Sequence, residues 1–398
     1  MSRPMRILHI IASLAPRLGG PSAAAPAMAS ALAERGHDVH IVTSNFGGAP
    51  AECGPLGVPV PTEGYTTWTF EARAIGPYAF SLPMARALRR QVPAADVVHL
   101  HSLYLLHSAV GGAYARRFGV PYIVRPHGTL DAYIRRRHRA RKAVYEWLIE
   151  RRNLAGADAI HYTSESEEAQ AREAGVLTRG YVIPLGVSLP PSLPEIERDS
   201  DLVLFLGRLS EKKGLLLLAD AFVRLQTLRP ASKLVVAGPD DGMAEPLRRR
   251  LRELGLESGV QLRGEVAGLE KWSLLASASV FVLPSSAENF GIAAVEAMAT
   301  GTPVVVSREV AVSEHVSRSR AGLVVPREPD ALADALRSIL DDPVNARSFG
   351  ASGRGLVNSA YSWNAIGALL EEMYREVAAR GDGRRERRSA RRDWAWTS

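Results

Sequence analysis

The chain has 398 residues, 46% of them hydrophobic, and a formal net charge of +7. Two domains suit that length, the apolar fraction supports real cores, and the single cysteine, Cys53, excludes a disulfide framework and a thiolate metal centre. The charge is local, +6 between Arg135 and Arg152 and +3 between Gly381 and Ser398, leaving −2 elsewhere, which excludes a uniformly basic nucleic-acid surface.

Residues 6–12 read as a first strand. The apolar run there is short and holds His9, so it reads better as a strand than as a secretory leader, and no stretch approaches the length that spans a bilayer. A cytoplasmic location is the expectation. A helix follows over 21–34, with Pro21 in its first turn, then a strand at 39–43 and a Gly- and Pro-rich loop at 45–64. Strands at 97–100 and 122–124 flank a helix around 105–118. A helix over 139–154, a strand at 159–162 and a helix from Ser164 come next, with Thr163 or Ser164 as cap ahead of Glu167 and Glu168. Residues 187–199 are rich in Pro and Ser without a period and read as a linker. The alternation then restarts with strands at 202–206, 233–237, 260–262, 280–283 and 304–306 and with helices at 214–228, 245–254, 271–278 and 330–340, and a segment at 345–357 closes the domain. A last helix over 363–377 shows an apolar face of Ile366, Leu369, Leu370, Met373 and Val377. Residues 381–398 are Arg-rich without an apolar period and read as a disordered tail. Strands alternating with helices mean parallel sheets, so the fold class is α/β with two Rossmann-like domains.

The most informative stretch runs from Pro284 to Val306. A buried strand ends, a loop carries Glu288, and Gly291 opens a helix that carries Glu296 about 7.5 Å further along its axis. Ligands of open α/β sheets bind outside the carboxyl ends of the strands, where Asn289, Phe290 and Gly291 offer backbone donors. An earlier strand end reads FLGRLSEKKGL, with Arg208 as a planar cationic fork and Lys213 as a compact charge beside Gly214. Lys212 is adjacent and competes for the same role. Gly19 and Gly20 follow the first strand, in neither a Walker A nor a G-x-G-x-x-G pattern, and let a backbone approach a ligand closely. His127, one of ten histidines, sits at a strand's carboxyl end in RPHGTLD. The string Asp199-Ser200-Asp201 falls at the linker's end, and its Asp-x-Asp pattern reads as accidental.

These motifs resemble retaining glycosyltransferases, especially glycosyltransferase family 4: the early Gly-rich loop, His127, the Gly-Arg…Lys-Gly segment and the Glu-x7-Glu stretch follow one another in that order, and the resemblance covers nearly the whole chain except the tail. The resemblance implies a GT-B architecture, two domains facing a cleft with the C-terminal helix crossing back to the first. The boundaries then become 1–186 plus 361–380 for the acceptor-side domain, 187–199 for the linker, 200–360 for the nucleotide-sugar domain and 381–398 for the tail. It further implies that Glu288 contacts the donor sugar, that Asn289, Phe290 and Gly291 hold sugar hydroxyls, and that Glu296 binds the nucleotide's ribose. Arg208 and Lys213 would clamp the diphosphate, Gly19 and Gly20 would line the donor site, and His127 would lie near the reaction centre. The expected catalytic set is His127, Glu288, Arg208 and Lys213. No metal or other cofactor is expected, since Arg208 and Lys213 take the cation's place. The expected partners are a nucleotide sugar and a saccharide or lipid-linked saccharide acceptor, as in cell-surface polysaccharide or glycolipid biosynthesis, with no nucleic acid. The basic stretch bounded by Arg135 and Arg152 reads either as an anionic-membrane contact, placing the protein on the cytoplasmic face, or as a solvated helix face. Alternatives are a GT-B epimerase or hydrolase, or a non-enzymatic anion- or nucleic-acid-binding protein.

Overall fold

The computed structural model describes residues 3–49, 53–75, 78–129, 149–193 and 195–394. The chain forms two compact units, Met1–Gly186 with Trp363–Ser398, and Val187–Ser362.

The first unit is built on strands β1 (Arg6–Ser13), β2 (Asp38–Ser44), β3 (Pro59–Thr62) and β4 (Tyr65–Phe70), a small hairpin of β5 (Arg73–Ile75) and β6 (Tyr78–Phe80), then β7 (Val97–His101), β8 (Tyr122–Arg125), β9 (Ala159–Tyr162) and β10 (Gly180–Val182). Eight of them form one sheet in the order β10-β9-β8-β7-β1-β2-β4-β3, parallel except where β3 runs against β4. The central strands are apolar on both faces because helices cover both. Leu8, Ile10, Val98, Leu100 and Val124 pack to one side, and Ile7, Ile11, Val97 and Ile123 to the other. The last helix seals that second side with Ile366, Leu370, Met373, Tyr374 and Val377, all fully buried. Each such aliphatic side chain contributes about 1.5–3 kcal/mol by leaving water.

The second unit holds β11 (Asp199–Leu206), β12 (Lys233–Ala237), β13 (Val260–Arg263), β14 (Ala278–Leu283), β15 (Val304–Ser307) and β16 (Gly322–Val325). Its sheet is parallel in the order β13-β12-β11-β14-β15-β16. That is the doubly wound Rossmann order, with its switch point between β11 and β14.

Several expectations need correction. The loop expected over 45–64 contains β3, an edge strand that tolerates Pro59 and Pro61 because one side of it needs no donors. The linker ends sooner than expected, since Asp199 already belongs to β11. Tyr361 and Ser362 stay with the second unit, where the Val187 N–H donates to the Tyr361 carbonyl at 2.9 Å. The tail expected to be disordered continues the last helix, Trp363–Trp394. The packed turns have already met the cost of nucleation, and each added Arg, Ala or Glu contributes a further backbone bond. Most of the helix expected over 139–154 lies outside the described residues, which resume at 149 and enter the helix Arg151–Gly156.

Candidate functional site

In the second unit the expected residues gather at the carboxyl ends of the two switch-point strands. After β11 the chain makes a short turn, Glu211–Lys213, and enters the helix Leu215–Leu228 through Gly214. Gly214 has φ 70°, and a Cβ there would meet the Pro284 carbonyl oxygen at 2.2 Å. This close approach brings the loop after β11 against the loop after β14, where the Ser286 N–H donates to the Lys212 carbonyl at 2.7 Å. Lys212 thus serves through its backbone, whereas the Lys213 ammonium pairs with the Glu288 carboxylate. Arg208 is exposed and has no ion-pair partner among the described residues.

The Glu288 loop is pinned from outside. Its N–H donates to the Glu309 carbonyl at 3.2 Å, Ala311 N–H donates to the Glu288 carbonyl at 3.0 Å, and Val312 N–H to the Phe290 carbonyl at 3.2 Å. The Phe290 ring is buried edge-on against Tyr361, centroids 5.5 Å apart, so this residue offers a ligand only its backbone. Gly291 has φ 93°, and a Cβ would strike Val310 Cγ1 at 2.8 Å, so only glycine fits. The N–H groups of Asn289, Phe290 and Gly291 have no partner among the described residues, and the helix Ile292–Ala299 starts directly behind them. Glu296, on that helix, is half-buried and accepts from Lys271 Nζ at 2.7 Å. Each acid therefore stands against its own lysine, with the Arg208 charge left over. The Asp-x-Asp string is at the opposite end of β11: Asp199 pairs with Lys233 and Asp201 with Arg229, each at 2.8 Å.

In the first unit Gly19 (φ 89°) closes a short turn after β1, its N–H bonded to the Pro16 carbonyl at 3.0 Å, and Gly20 opens the helix Gly20–Ala33. Open space faces Gly20: a Cβ there would meet nothing within 4 Å. His127 adopts φ 53°, a left-handed conformation costly for any residue with a Cβ, and Ser102 and Tyr104 after β7 do the same with φ 69° and 61°. The buried carboxylate of Glu167 holds the His127–Gly128 turn, accepting from the Gly128 N–H and from the Thr163 N–H and hydroxyl. The sequence presents Glu167 only as part of a helix start.

Behind His127 lies a cluster that the sequence reading missed. His9, His99, His101 and His161 are fully buried with Arg125, brought together because β1, β7, β8 and β9 are neighbours. The register pairs His9 with His99 and His101 with Arg125. Burial and then the Arg125 charge push His9 down to about 3. Burial also holds His127 well below the ordinary range, with Arg125 acting in the same direction. One nitrogen each of His9, His99 and His101 lies within 4.8 Å of the others, a spacing that invites a metal. The donor set does not fit one: its nitrogens are already taken up in ring-to-ring and Tyr374 hydrogen bonds, and a divalent ion would join the buried Arg125 guanidinium.

Comparison with known proteins places both units. Residues 19–186 match the family described as "Glycosyl transferase 4-like domain", and residues 194–355 match "Glycosyl transferases group 1". The chain is 29% identical to the MMP alpha-(1->4)-mannosyltransferase of Mycolicibacterium hassiacum, over 88% of this chain and 92% of that one. It is also 29% identical to the D-inositol 3-phosphate glycosyltransferase of Paenarthrobacter aurescens, over 91% and 94% respectively. Among solved structures, the sucrose-phosphate synthase of Thermosynechococcus elongatus superposes with a TM-score of 0.67 at 24% identity, covering 94% of this chain and 99% of that one. HepE of Anabaena, in complex with UDP-glucose, gives 0.69 at 19%, covering 94% and 100%. These two likenesses are of fold.

Proposed function

The chain belongs to the group 1 glycosyltransferases of GT-B fold, and from this premise we propose how its donor site works and what it accepts. The observation that carries the reading is the charge arrangement at the switch point of the second unit: two acids, each held by a lysine, beside Arg208 and three backbone N–H groups that have no partner among the described residues. A nucleoside diphosphate fits it part by part. Arg208 receives the diphosphate, and Lys213 exchanges Glu288 for a phosphate oxygen. The released Glu288 carboxylate and the N–H groups of residues 289–291 then take the hydroxyls of the sugar. Glu296 accepts from the ribose hydroxyls.

In the reaction the bond between the sugar's anomeric carbon and the phosphate oxygen breaks, and the departing diphosphate gains charge. Cations already in place stabilise that charge without reorganising. Arg208 and Lys213 supply this role themselves, so we assign no metal to the step. No covalent nucleophile is assigned: the acceptor hydroxyl attacks on the face the diphosphate leaves and passes its proton to the departing phosphate oxygen, giving retention. His127 and the Gly19–Gly20 loop are assigned to the transferred sugar. The acceptor is a saccharide or lipid-linked saccharide. Among the described residues no helix is long and apolar enough to cross a membrane. We assign membrane contact to the basic stretch 135–152 through anionic lipid.

Thermal melting in chelator with UDP-, GDP- and ADP-sugars tests the reading. A donor at 100 times its Kd stabilises the folded state by about 2.7 kcal/mol. Stabilisation by one of them, lost in Arg208→Ala, is the expected result. If none stabilises, or Arg208→Ala responds like the parent, the assignment fails. Turnover with and without acceptor separates transfer from hydrolysis.

A further inference from the structure

A continuous chain of ring hydrogen bonds crosses the first unit. His127 Nε2 lies 3.0 Å from His101 Nδ1, and His101 Nε2 lies 2.9 Å from His9 Nδ1. His9 Nε2 faces the Tyr374 hydroxyl at 3.5 Å, and that hydroxyl lies 2.6 Å from His99 Nδ1. Every ring nitrogen is engaged except the two at the ends. His99 Nε2 is buried without a partner among the described residues. His127 is half-buried, and its Nδ1 likewise has no partner among them.

Burial, reinforced by neighbouring charge, holds all four imidazoles in their neutral form at neutral pH. A neutral imidazole carries one N–H and one lone pair, and a tyrosine hydroxyl has a single proton to give. Each link needs one donor and one acceptor, and the proton of the fully buried Tyr374 hydroxyl needs an acceptor too, which rules out Tyr374 accepting from both His99 and His9. The setting at one link then fixes all the others, and only two settings remain. In the first, His99 Nδ1–H donates to Tyr374, Tyr374 O–H to His9 Nε2, His9 Nδ1–H to His101 Nε2, and His101 Nδ1–H to His127 Nε2. The last proton then stands on His127 Nδ1. In the second, every donor is reversed: His127 Nδ1 is a bare lone pair and the His99 proton stands on Nε2.

Arg125 decides between them. Its guanidinium offers only donors. It is fully buried, and its Nε and Nη2 have no partner among the described residues. Nη1 meets Met28 Sδ and His161 Nδ1, each at 3.4 Å. His161 Nε2 donates to the Ile183 carbonyl at 3.0 Å, so its Nδ1 is a lone pair turned to the cation. The His99 ring stacks on His161 at 5.3 Å and lies within the same field, as His127 does. The difference is at the two ends: His99 Nε2 is shut off from solvent, so an N–H there would have neither an acceptor nor screening from the cation, whereas the half-buried His127 Nδ1 can be met by solvent or ligand in either setting. The buried end therefore takes the lone pair, which selects the first setting.

We propose that this buried chain locks His127 as its neutral Nδ1–H tautomer, making it a fixed hydrogen-bond donor to a bound oxygen and not a base. His9, His99, His101 and Tyr374 are positioning residues that act through it. Where His127 points its proton, toward the transferred sugar, rests on the proposed function; the tautomer itself does not.

The test is nitrogen NMR on the full chain with 15N-labelled histidine, His127 being assigned by its loss in His127→Asn. The expected spectrum shows a protonated Nδ1 and a pyridine-type Nε2, unchanged over about pH 6 to 8. A proton on Nε2, or titration near the ordinary 6.5, overturns the proposal. Tyr374→Phe removes the link that carries the polarity. His127 should then show both tautomers, with the donor form falling to about half and kcat falling about twofold at unchanged nucleotide affinity. A folded Tyr374→Phe whose His127 stays wholly Nδ1–H refutes the chain's role, and if that variant unfolds, the parent spectrum still decides. Adding sugar nucleotide separates the two readings. A shift at His127 supports its place beside the sugar, and no shift removes that placement while the tautomer stands.

Discussion

Lys271 is the sharpest test of the donor site, because nothing in the motif requires it. Its Nζ lies 2.7 Å from Glu296 Oε1, and both side chains are largely buried, 24% and 16% exposed. If Glu296 accepts from a ribose, Lys271 acts by holding that carboxylate in one rotamer before the nucleotide arrives. Immobilising a flexible side chain costs about 0.5–1.5 kcal/mol on binding, which a preorganised site avoids. Lys271→Met keeps the stem and removes the charge, so it should weaken nucleoside-diphosphate binding by about 2- to 12-fold. Glu296→Gln removes the charged acceptor itself and should cost about 1–3 kcal/mol, roughly 5- to 150-fold. The double variant should bind no worse than Glu296→Gln alone, since there is then no carboxylate to hold. Calorimetric titration of all four proteins closes the cycle. If Lys271→Met binds like the parent, or the two losses simply add, Lys271 does not act through Glu296. If Glu296→Gln binds normally, the ribose assignment falls.

Glu288→Gln should bind nucleoside diphosphate near normally while transfer falls steeply, because misplacing the sugar costs rate and not folding; full turnover would remove Glu288 from the site. Glu371 anchors the last helix, with ion pairs to Arg35 at 2.6 Å and to Arg375. Burial alone would raise its pKa, but the hydrogen bonds from Arg375 and Arg35 outweigh that and hold it down to about 2, from 4.5. A depressed carboxylate stabilises above its unfolded pKa, so this contribution, about 3 kcal/mol, is present at pH 7 and is lost as pH falls from 4.5 toward 2. Urea unfolding of Glu371→Gln should show that deficit at neutral pH and a smaller one in acid; equal deficits at both would refute it. Truncation after Gly381, whose backbone packs on Pro121, should leave folding and turnover of a soluble acceptor intact. Neutralising Arg135, Arg136 and Arg137 should weaken binding to anionic vesicles, as should added salt; salt-insensitive binding would remove the lipid assignment.

The elements that could be read from the sequence are those whose environment is written in their own residues. β14 and β15 carry the apolar runs 280–283 and 304–306 because both faces are covered. Arg208, Lys213, Glu288 and Glu296 were visible because each stands at a fixed distance from a strand end and a glycine. Lys271 was not, because its meaning depends on another helix. It was expected as the first residue of a helix, whereas the helix Gly268–Ser277 begins three residues earlier. Only tertiary packing sets it against the helix Ile292–Ala299. β3 escaped notice for a different reason. An edge strand is covered less, so it needs no apolar run, and its prolines, Pro59 and Pro61, obscure the rest.

The ring chain is the extreme case. In sequence, His9 interrupts one apolar strand, His99 and His101 alternate in a second, and His127 and Tyr374 lie far along, so each reads as an isolated residue. Strand order alone brings β1 beside β7 and β7 beside β8, and packing of the last helix sets Tyr374 against His99. Such an interior is not the stable choice. Replacing buried polar networks by apolar groups of similar volume is often neutral or stabilising, and an unpaired buried nitrogen such as His99 Nε2 costs more than a methyl group in its place. Packing alone therefore gives no account of why four imidazoles stand in a row behind one loop. The end of the row does, for His127 alone among them is half-buried, in a strained conformation held by Glu167, with a ring nitrogen to offer.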